Sequence, residues 1–470
     1  INVKSISNKE IVVNLKDLLP DSMFENNSIK ELAFTGDSVS ATALYIMSNG
    51  DVWGAGKTTR LGIGSDKVNS ASSNSLGKAQ KLIDADSTTG ISSLNGVKIN
   101  SFSNSIIKSC ETSAYPFALC TENEAYITGQ SNIMYGNSII QSSWKKIASN
   151  VKEVCIGSDD KLGIIDNNSN AYVVMQDYRD IGVESVSNQV ALGNNLKEII
   201  VPEIKGKAKK ISFMLGATFV LTNDGKLYSA GKGKFDTTWV KNAYNGRDNN
   251  ADAILKYLDD NVVDMDTAGK DNIATGFIYT KSGSNAGIYF VGAADYKGLK
   301  GASNAGGGGS VTPSKVEIQD FDVSNVKKIF LQWSSTFMLN NDGNLYLGGE
   351  DVDTPAVNFS KGFYISRYTS ENLNISDKII DFVNRRSNAI FLTDKGKVYG
   401  FGAKSNLGIG SNSTIAEKNI IDLGLDDVEY ICTTKEAYIV IKKDGSVYGT
   451  GSNKYGILGR WIGVDRKTPN

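Results

Sequence analysis

The chain has 470 residues, 50 Lys and Arg against 51 Asp and Glu, a net charge of −1 and no His. That balance gives no electrostatic reason to expect a nucleic-acid or acidic-lipid partner. The missing His removes the commonest general base, the commonest metal ligand and every Ser-His or Cys-His pair.

Read from its start, Ile1-Asn2-Val3-Lys4, the chain shows neither an initiator Met nor a signal-peptide core, so it reads as a segment of a longer or processed protein. No apolar run approaches the roughly 18 residues a membrane span needs, and no membrane insertion is expected. Cys110, Cys120, Cys155 and Cys432 are too few and too scattered for a disulfide framework or a paired metal site. They read as small buried hydrophobes, with Cys110 and Cys120 alone near enough in sequence to bridge neighbouring strands.

Gly is abundant at 48 and Pro scarce at 6, and the apolar stretches are short and rich in β-branched and aromatic residues, a profile of many strands joined by tight turns. One phrase recurs along the chain: a short apolar run, an Asp/Asn-Gly turn, then an aromatic residue. Asn49-Gly50 before Trp53 is the first copy, and weaker ones end at Tyr126, Tyr172 and Tyr289, with Asn123, Ser169 and Ala286 at the turn-Gly position. The clearest are Asp224-Gly225 before Tyr228, Asp342-Gly343 before Tyr346, Lys395-Gly396 before Tyr399 and Asp444-Gly445 before Tyr448. Each reads as a hairpin whose Gly supplies the positive φ of the turn.

Eight anchors from Trp53 to Tyr448 lie about 56 residues apart on average. Another apolar strand precedes most hairpins, as at 151–156, 208–213, 326–331 and 428–432, and a short one follows, as at 315–318 and 419–422. Four strands per unit make one propeller blade, which buries both faces only by packing on its neighbours. Thr312-Pro313 and Thr354-Pro355 are expected to precede fourth strands, and the Gly-rich stretch 298–314 to be a mobile loop. No strand follows the last hairpin, so 1–6 or 10–15 is expected to complete the last blade and close the ring. The expectation is an all-β fold: a single β-propeller of seven or eight four-stranded blades over 1–470, eight favoured by the anchor count.

The segments Trp53-Gly54-Ala55-Gly56 to Leu61-Gly62-Ile63-Gly64, Tyr399-Gly400-Phe401-Gly402 to Leu407-Gly408-Ile409-Gly410, and Tyr448-Gly449-Thr450-Gly451 to Tyr455-Gly456-Ile457-Leu458-Gly459 carry a family resemblance. They resemble the hairpin tail of the regulator of chromosome condensation repeats, over roughly residues 10–465. The family usually has seven blades and a His before the second strand, where this chain has Ala217, Ser335, Asn388 and Ala437. The resemblance implies a rigid disc whose loops bind another macromolecule, with no cofactor. It also implies that chromatin binding would need a basic face, which a net charge of −1 does not offer.

The expected function is a non-enzymatic protein-recognition module for a protein or cell-surface macromolecule. Lys/Asn/Ile-rich usage points to a bacterium or its phage, and so to the receptor- or surface-binding part of a toxin, surface protein or phage tail, placed outside the cell or at its surface. Turns between first and second strands include Trp333 and the pair Arg385-Arg386, the best anchors there, since Trp and Arg carry binding energy well. The insertion 235–252 offers Trp239, Tyr244 and Arg247 as a second patch. Ordinary packing of Trp333 and solvation of the Arg pair are the plain alternatives. Two other readings are a structural spacer in a larger protein and a glycan-acting enzyme using channel carboxylates Asp159, Asp160, Asp381 and Asp394.

Overall fold

The computed structural model describes residues 4–5, 13–14, 19–35, 42–57, 75–85, 98, 101–104, 117–130, 140–156, 162–174, 197–199, 201–214, 217–231, 255–268, 276–292, 313–316, 318, 322–331, 335–349, 366–368, 373, 375–385, 388–401, 420–433 and 437–451. Their strands form eight sheets, seven of four strands and one of five. In chain order they are blade 1 (29–83), blade 2 (101–149), blade 3 (151–198), blade 4 (208–259), blade 5 (262–315), blade 6 (326–368), blade 7 (379–422) and blade 8 (428–451). All eight sequence anchors fall on third strands, for example Trp53 in Val52–Lys57 and Tyr399 in Val398–Phe401.

The blades need one another, because their apolar side chains meet between sheets. Phe219 of blade 4 stacks on Phe277 of blade 5, with ring centroids 3.7 Å apart and planes 5° apart. Leu339 and Phe337 of blade 6 share a core with Phe382 and Phe391 of blade 7. The ring closes in the same way: Cys432, Ile439, Ile441 and Val447 of blade 8 pack with Leu32, Tyr45 and Met47 of blade 1. Each such side chain, buried against a neighbouring sheet, contributes on the order of 1.5–3 kcal/mol.

Both N-terminal segments are used. Val13–Asn14 pairs antiparallel with the third strand of blade 8, Val13 opposite Gly449 and Asn14 opposite Tyr448, and is that blade's fourth strand. Lys4–Ser5 runs parallel to Ile421–Asp422 as a fifth strand on blade 7. The sequence offered these as alternatives for one blade; they serve two, covering edges that would otherwise recruit other chains.

One local expectation is corrected, and two others fall largely outside the described residues. The fourth strand of blade 6 is Ser366–Tyr368, which follows Thr354-Pro355, a dipeptide outside the described residues. The Gly-rich stretch lies outside the described residues up to 312, but Ser314, its last residue, pairs with Phe290 as part of the fourth strand of blade 5. The blade 5 hairpin does not turn at Ala286. It uses a short 3-10 turn, Gly283–Asn285, with Gly283 at φ 83°, because a longer connection moves the left-handed position back. In blade 3 it is Ser169 that adopts φ 61°.

Cys432 is buried, as free Cys usually is, and Cys155 is half-buried; Cys110 lies outside the described residues.

Candidate functional site

The first strand of each blade is the innermost, since consecutive blades approach one another most closely through these strands. In seven blades the first strand carries an irregularity between its first and third residues, as between Ala208 and Lys210 or Ile379 and Asp381. A bulge adds a residue and re-aims the side chains around it.

That device builds a charged belt around the channel. Lys210 of blade 4 reaches Asp264 Oδ1 and the Met265 carbonyl of blade 5, both at 2.8 Å. Lys328 of blade 6 repeats the contact on blade 7, meeting Asp381 Oδ1 at 2.8 Å and the Phe382 carbonyl at 2.7 Å. The preceding lysines, Lys209 and Lys327, donate to the carbonyls of Val263 and Ile380. Glu153 and Glu31 occupy the same register in blades 3 and 1. Burial pushes both carboxyls above the ordinary range, opposed by Lys210 and Lys152 at Glu153 and by Lys30 at Glu31.

Two of the carboxylates considered for catalysis are engaged within the protein, one in the belt and one in a hairpin turn. Asp381 is held by Lys328 and by its neighbour's backbone, accepting from Phe382 N at 2.8 Å. Asp394 shapes a turn, its Oδ1 accepting from Lys378 N at 3.1 Å while its own N–H donates to the Lys378 carbonyl at 2.8 Å. Asp159 and Asp160 lie outside the described residues. Among the described residues no three or more Cys, Asp or Glu gather as a metal cage would require.

Strand direction then sorts the connections. Strands 1 and 3 of a blade run the same way, so the 1–2 and 3–4 connections leave from one end of the wheel, and the 2–3 hairpins and blade-to-blade links from the other. The hairpins are three to five residues long, whereas the 3–4 connections span nine to 24.

Much of the hairpin end is occupied by its own bonding. Asp51 in blade 1 is buried, takes Ala85 N at 2.8 Å and pairs with Lys81 at 2.9 Å, which lies over Trp53. Tyr279 donates to Asp259 at 2.9 Å, and Lys281 pairs with the same carboxylate. Asn167 reaches Asn150 at 3.0 Å.

The candidate surface is therefore the other end. Trp333, Arg386, Trp239, Tyr244 and Arg247 all lie outside the described residues, and of Arg385 only the backbone is described, paired with Asn388 at the end of its strand. The strands flanking these residues, Val326–Leu331 and Ser335–Asn340, Ile379–Arg385 and Asn388–Thr393, Leu227–Gly231 and Lys256–Asp259, all open at that end. The lysine–aspartate belt was missed in the sequence, although its signal was there: Lys209-Lys210 and Lys327-Lys328 alternate with Val263-Asp264 and Ile380-Asp381 in successive first strands.

No family model and no curated protein matches the sequence. Among solved structures the chain is similar to human WBSCR16, at 12% identity and a TM-score of 0.53, covering 85% of this chain and 97% of that one. It is also similar to yeast RCC1 (Prp20) in complex with Kap60, at 12% identity and a TM-score of 0.51, covering 97% and 96%. At such identity the likeness carries the fold: an RCC1-like propeller, as the repeat pattern implied.

Proposed function

We propose that this chain is a non-enzymatic protein-recognition module whose binding surface is the end of the wheel bearing the 3–4 connections. One observation carries the reading: connections of nine to 24 residues leave that end, while the opposite end is closed by hairpins of three to five. Long connections on a rigid scaffold are where binding residues concentrate, and a preformed disc loses little entropy on association. A propeller of similar fold, yeast RCC1, has been seen bound to Kap60, which supports a protein partner here. In the finer reading, the module is the receptor- or surface-binding part of a bacterial toxin, surface protein or phage tail.

The test is quantitative capture of partners from host-cell and bacterial-surface extracts, by wild type and by Trp333→Ala, Arg385→Ala/Arg386→Ala and Trp239→Ala/Tyr244→Ala/Arg247→Ala. A partner retained by wild type and lost by at least one variant of unchanged thermal stability supports the reading. Equal capture by all three sets would remove these residues from the interface.

A further inference from the structure

Four seams of the wheel share one backbone hydrogen bond. The first residue of an inner strand donates its N–H to the carbonyl at the turn of the preceding blade: Val151 to Asn123 at 3.1 Å, Ala208 to Ser169 at 2.8 Å, Val262 to Gly225 at 2.9 Å and Val428 to Gly396 at 2.9 Å. Register explains the direction. Asn167 N donates to the carbonyl of Asn150, one residue earlier, so the N–H of Val151 points away from its own sheet.

Among the described residues three seams lack it: where blade 5 meets blade 6 the Val326 N–H donates instead to the Val323 carbonyl of its own 3-10 turn, where blade 6 meets blade 7 the Ile379 N–H makes no such bond, and the seam where blade 8 meets blade 1 keeps the register of the four but does not make the bond. Ser48 N donates to the Ser28 carbonyl at 2.8 Å and Ile29 stands opposite Met47, which turns the Ile29 N–H toward blade 8. Among the described residues no blade 1 N–H reaches the Gly445 carbonyl. A Cβ on Gly396 would come within 2.9 Å of Val428 N, whereas one on Gly445 would meet only Ser28 Cβ, at 3.4 Å. The gap is a cleft of about 390 Å³ at the hairpin end.

Its walls are polar and fixed. Asn27 Oδ1 accepts from Ser28 N at 3.1 Å, Ser48 Oγ at 2.6 Å and Asn49 N at 3.3 Å, which locks the side chain and leaves its NH₂ as the donor still available. Glu429 and Lys443, both exposed, line the blade 8 side. Among the described residues no aromatic ring lines the cleft to stack on a sugar, and Glu429 and Asp444 beside the lysines would repel a phosphate.

We propose that this cleft binds an extended segment of a partner polypeptide. One peptide group of that segment accepts the Ile29 N–H through its carbonyl and gives its own N–H to the Gly445 carbonyl. The guest restores between two chains the bond that four other seams make within one, as strand addition does at open edges. A basic side chain next to that peptide group meets Glu429. The site lies at the opposite end from the surface proposed above and does not depend on it.

The test is a titration of the ¹⁵N-labelled full chain with acetyl-Gly-Lys-Gly-amide, with the same peptide N-methylated along its backbone, with glucose and with inorganic phosphate. The expected result is a saturable shift of the Ile29 and Gly445 amide signals by the first peptide alone, with a Kd of about 10 mM, the worth of two hydrogen bonds and an exposed ion pair. Glu429→Gln should weaken it about threefold, the worth of an exposed ion pair. No saturable shift would mean that the cleft holds only water and would overturn the proposal. Equal binding of the N-methylated peptide, or stronger shifts with glucose or phosphate, would overturn it too.

Discussion

Hairpins of three to five residues close one end of the wheel, and connections of nine to 24 residues leave the other. At the short end the residues that make the turns also join the blades, as where Gly225 turns its hairpin while its carbonyl receives Val262 N. Sequence is constrained there twice over, by left-handed geometry and by the neighbour. The connections at the long end differ in length from nine to 24 residues from blade to blade. On the proposed reading, a substitution at the long end should spare stability, and one at the short end should cost it.

The largest effect belongs to the seams. Phe277→Ala removes a fully buried ring stacked, at 3.7 Å between centroids, on Phe219 of the preceding blade and should lower the unfolding free energy by roughly 3–5 kcal/mol, measured by urea denaturation. A loss under about 1 kcal/mol would mean that the blades do not hold one another, and the comparison would fail at its base.

Next comes the bonding of the hairpin end. Burial pushes the Asp51 carboxyl up, but the Ala85 N–H, the Lys81 ammonium and Asn49 outweigh it and hold it below the usual carboxylate range. A group so lowered on folding gives stability above its unfolded value of about 3.9, and that stability is lost as pH falls through the folded value. Asp51→Asn should therefore destabilise by about 1–3 kcal/mol at pH 7, and the gap to wild type should close below about pH 4. A gap constant from pH 7 to pH 3 would show that the charge of Asp51 plays no part.

Repetition decided what was legible in the sequence. A hairpin that recurs eight times announces its turn, its anchor and its period, and Tyr228, Tyr346, Tyr399 and Tyr448 all stand on third strands. What does not repeat was hidden. The two-residue strands Lys4–Ser5 and Val13–Asn14 carry too little pattern to reveal that they serve different blades. The cleft beside Gly445 is invisible because Asp444-Gly445 reads like the other Asp-Gly turns, and nothing in a turn's sequence shows how closely the next blade approaches. The belt lay between extremes: Lys210 and Asp264 are plain in the sequence, but their contact needs the ring.

A smaller effect compares two seams directly. Gly396 and Gly445 have φ of 74° and 80°, so Ala at either costs about 1 kcal/mol of backbone strain. At 396 the new Cβ also collides with Val428 N and with Asp427 Cα at 3.0 Å, backbone atoms that cannot swing aside. Thermal denaturation should show Gly396→Ala below Gly445→Ala, and the reverse order would mean that the closing seam is as tight as the others.

The smallest effect is expected at the long end, where Trp333→Ala and Arg385→Ala/Arg386→Ala should leave the unfolding free energy within about 0.5 kcal/mol of wild type. Such constancy is what separates a recognition role from packing, because a Trp seated against a neighbouring turn would cost several times more on truncation. If Trp333→Ala unfolds markedly more easily while the Arg pair does not, Trp333 belongs with the seams. Recognition would then rest on Arg385 and Arg386, and partner capture should fall steeply with added salt.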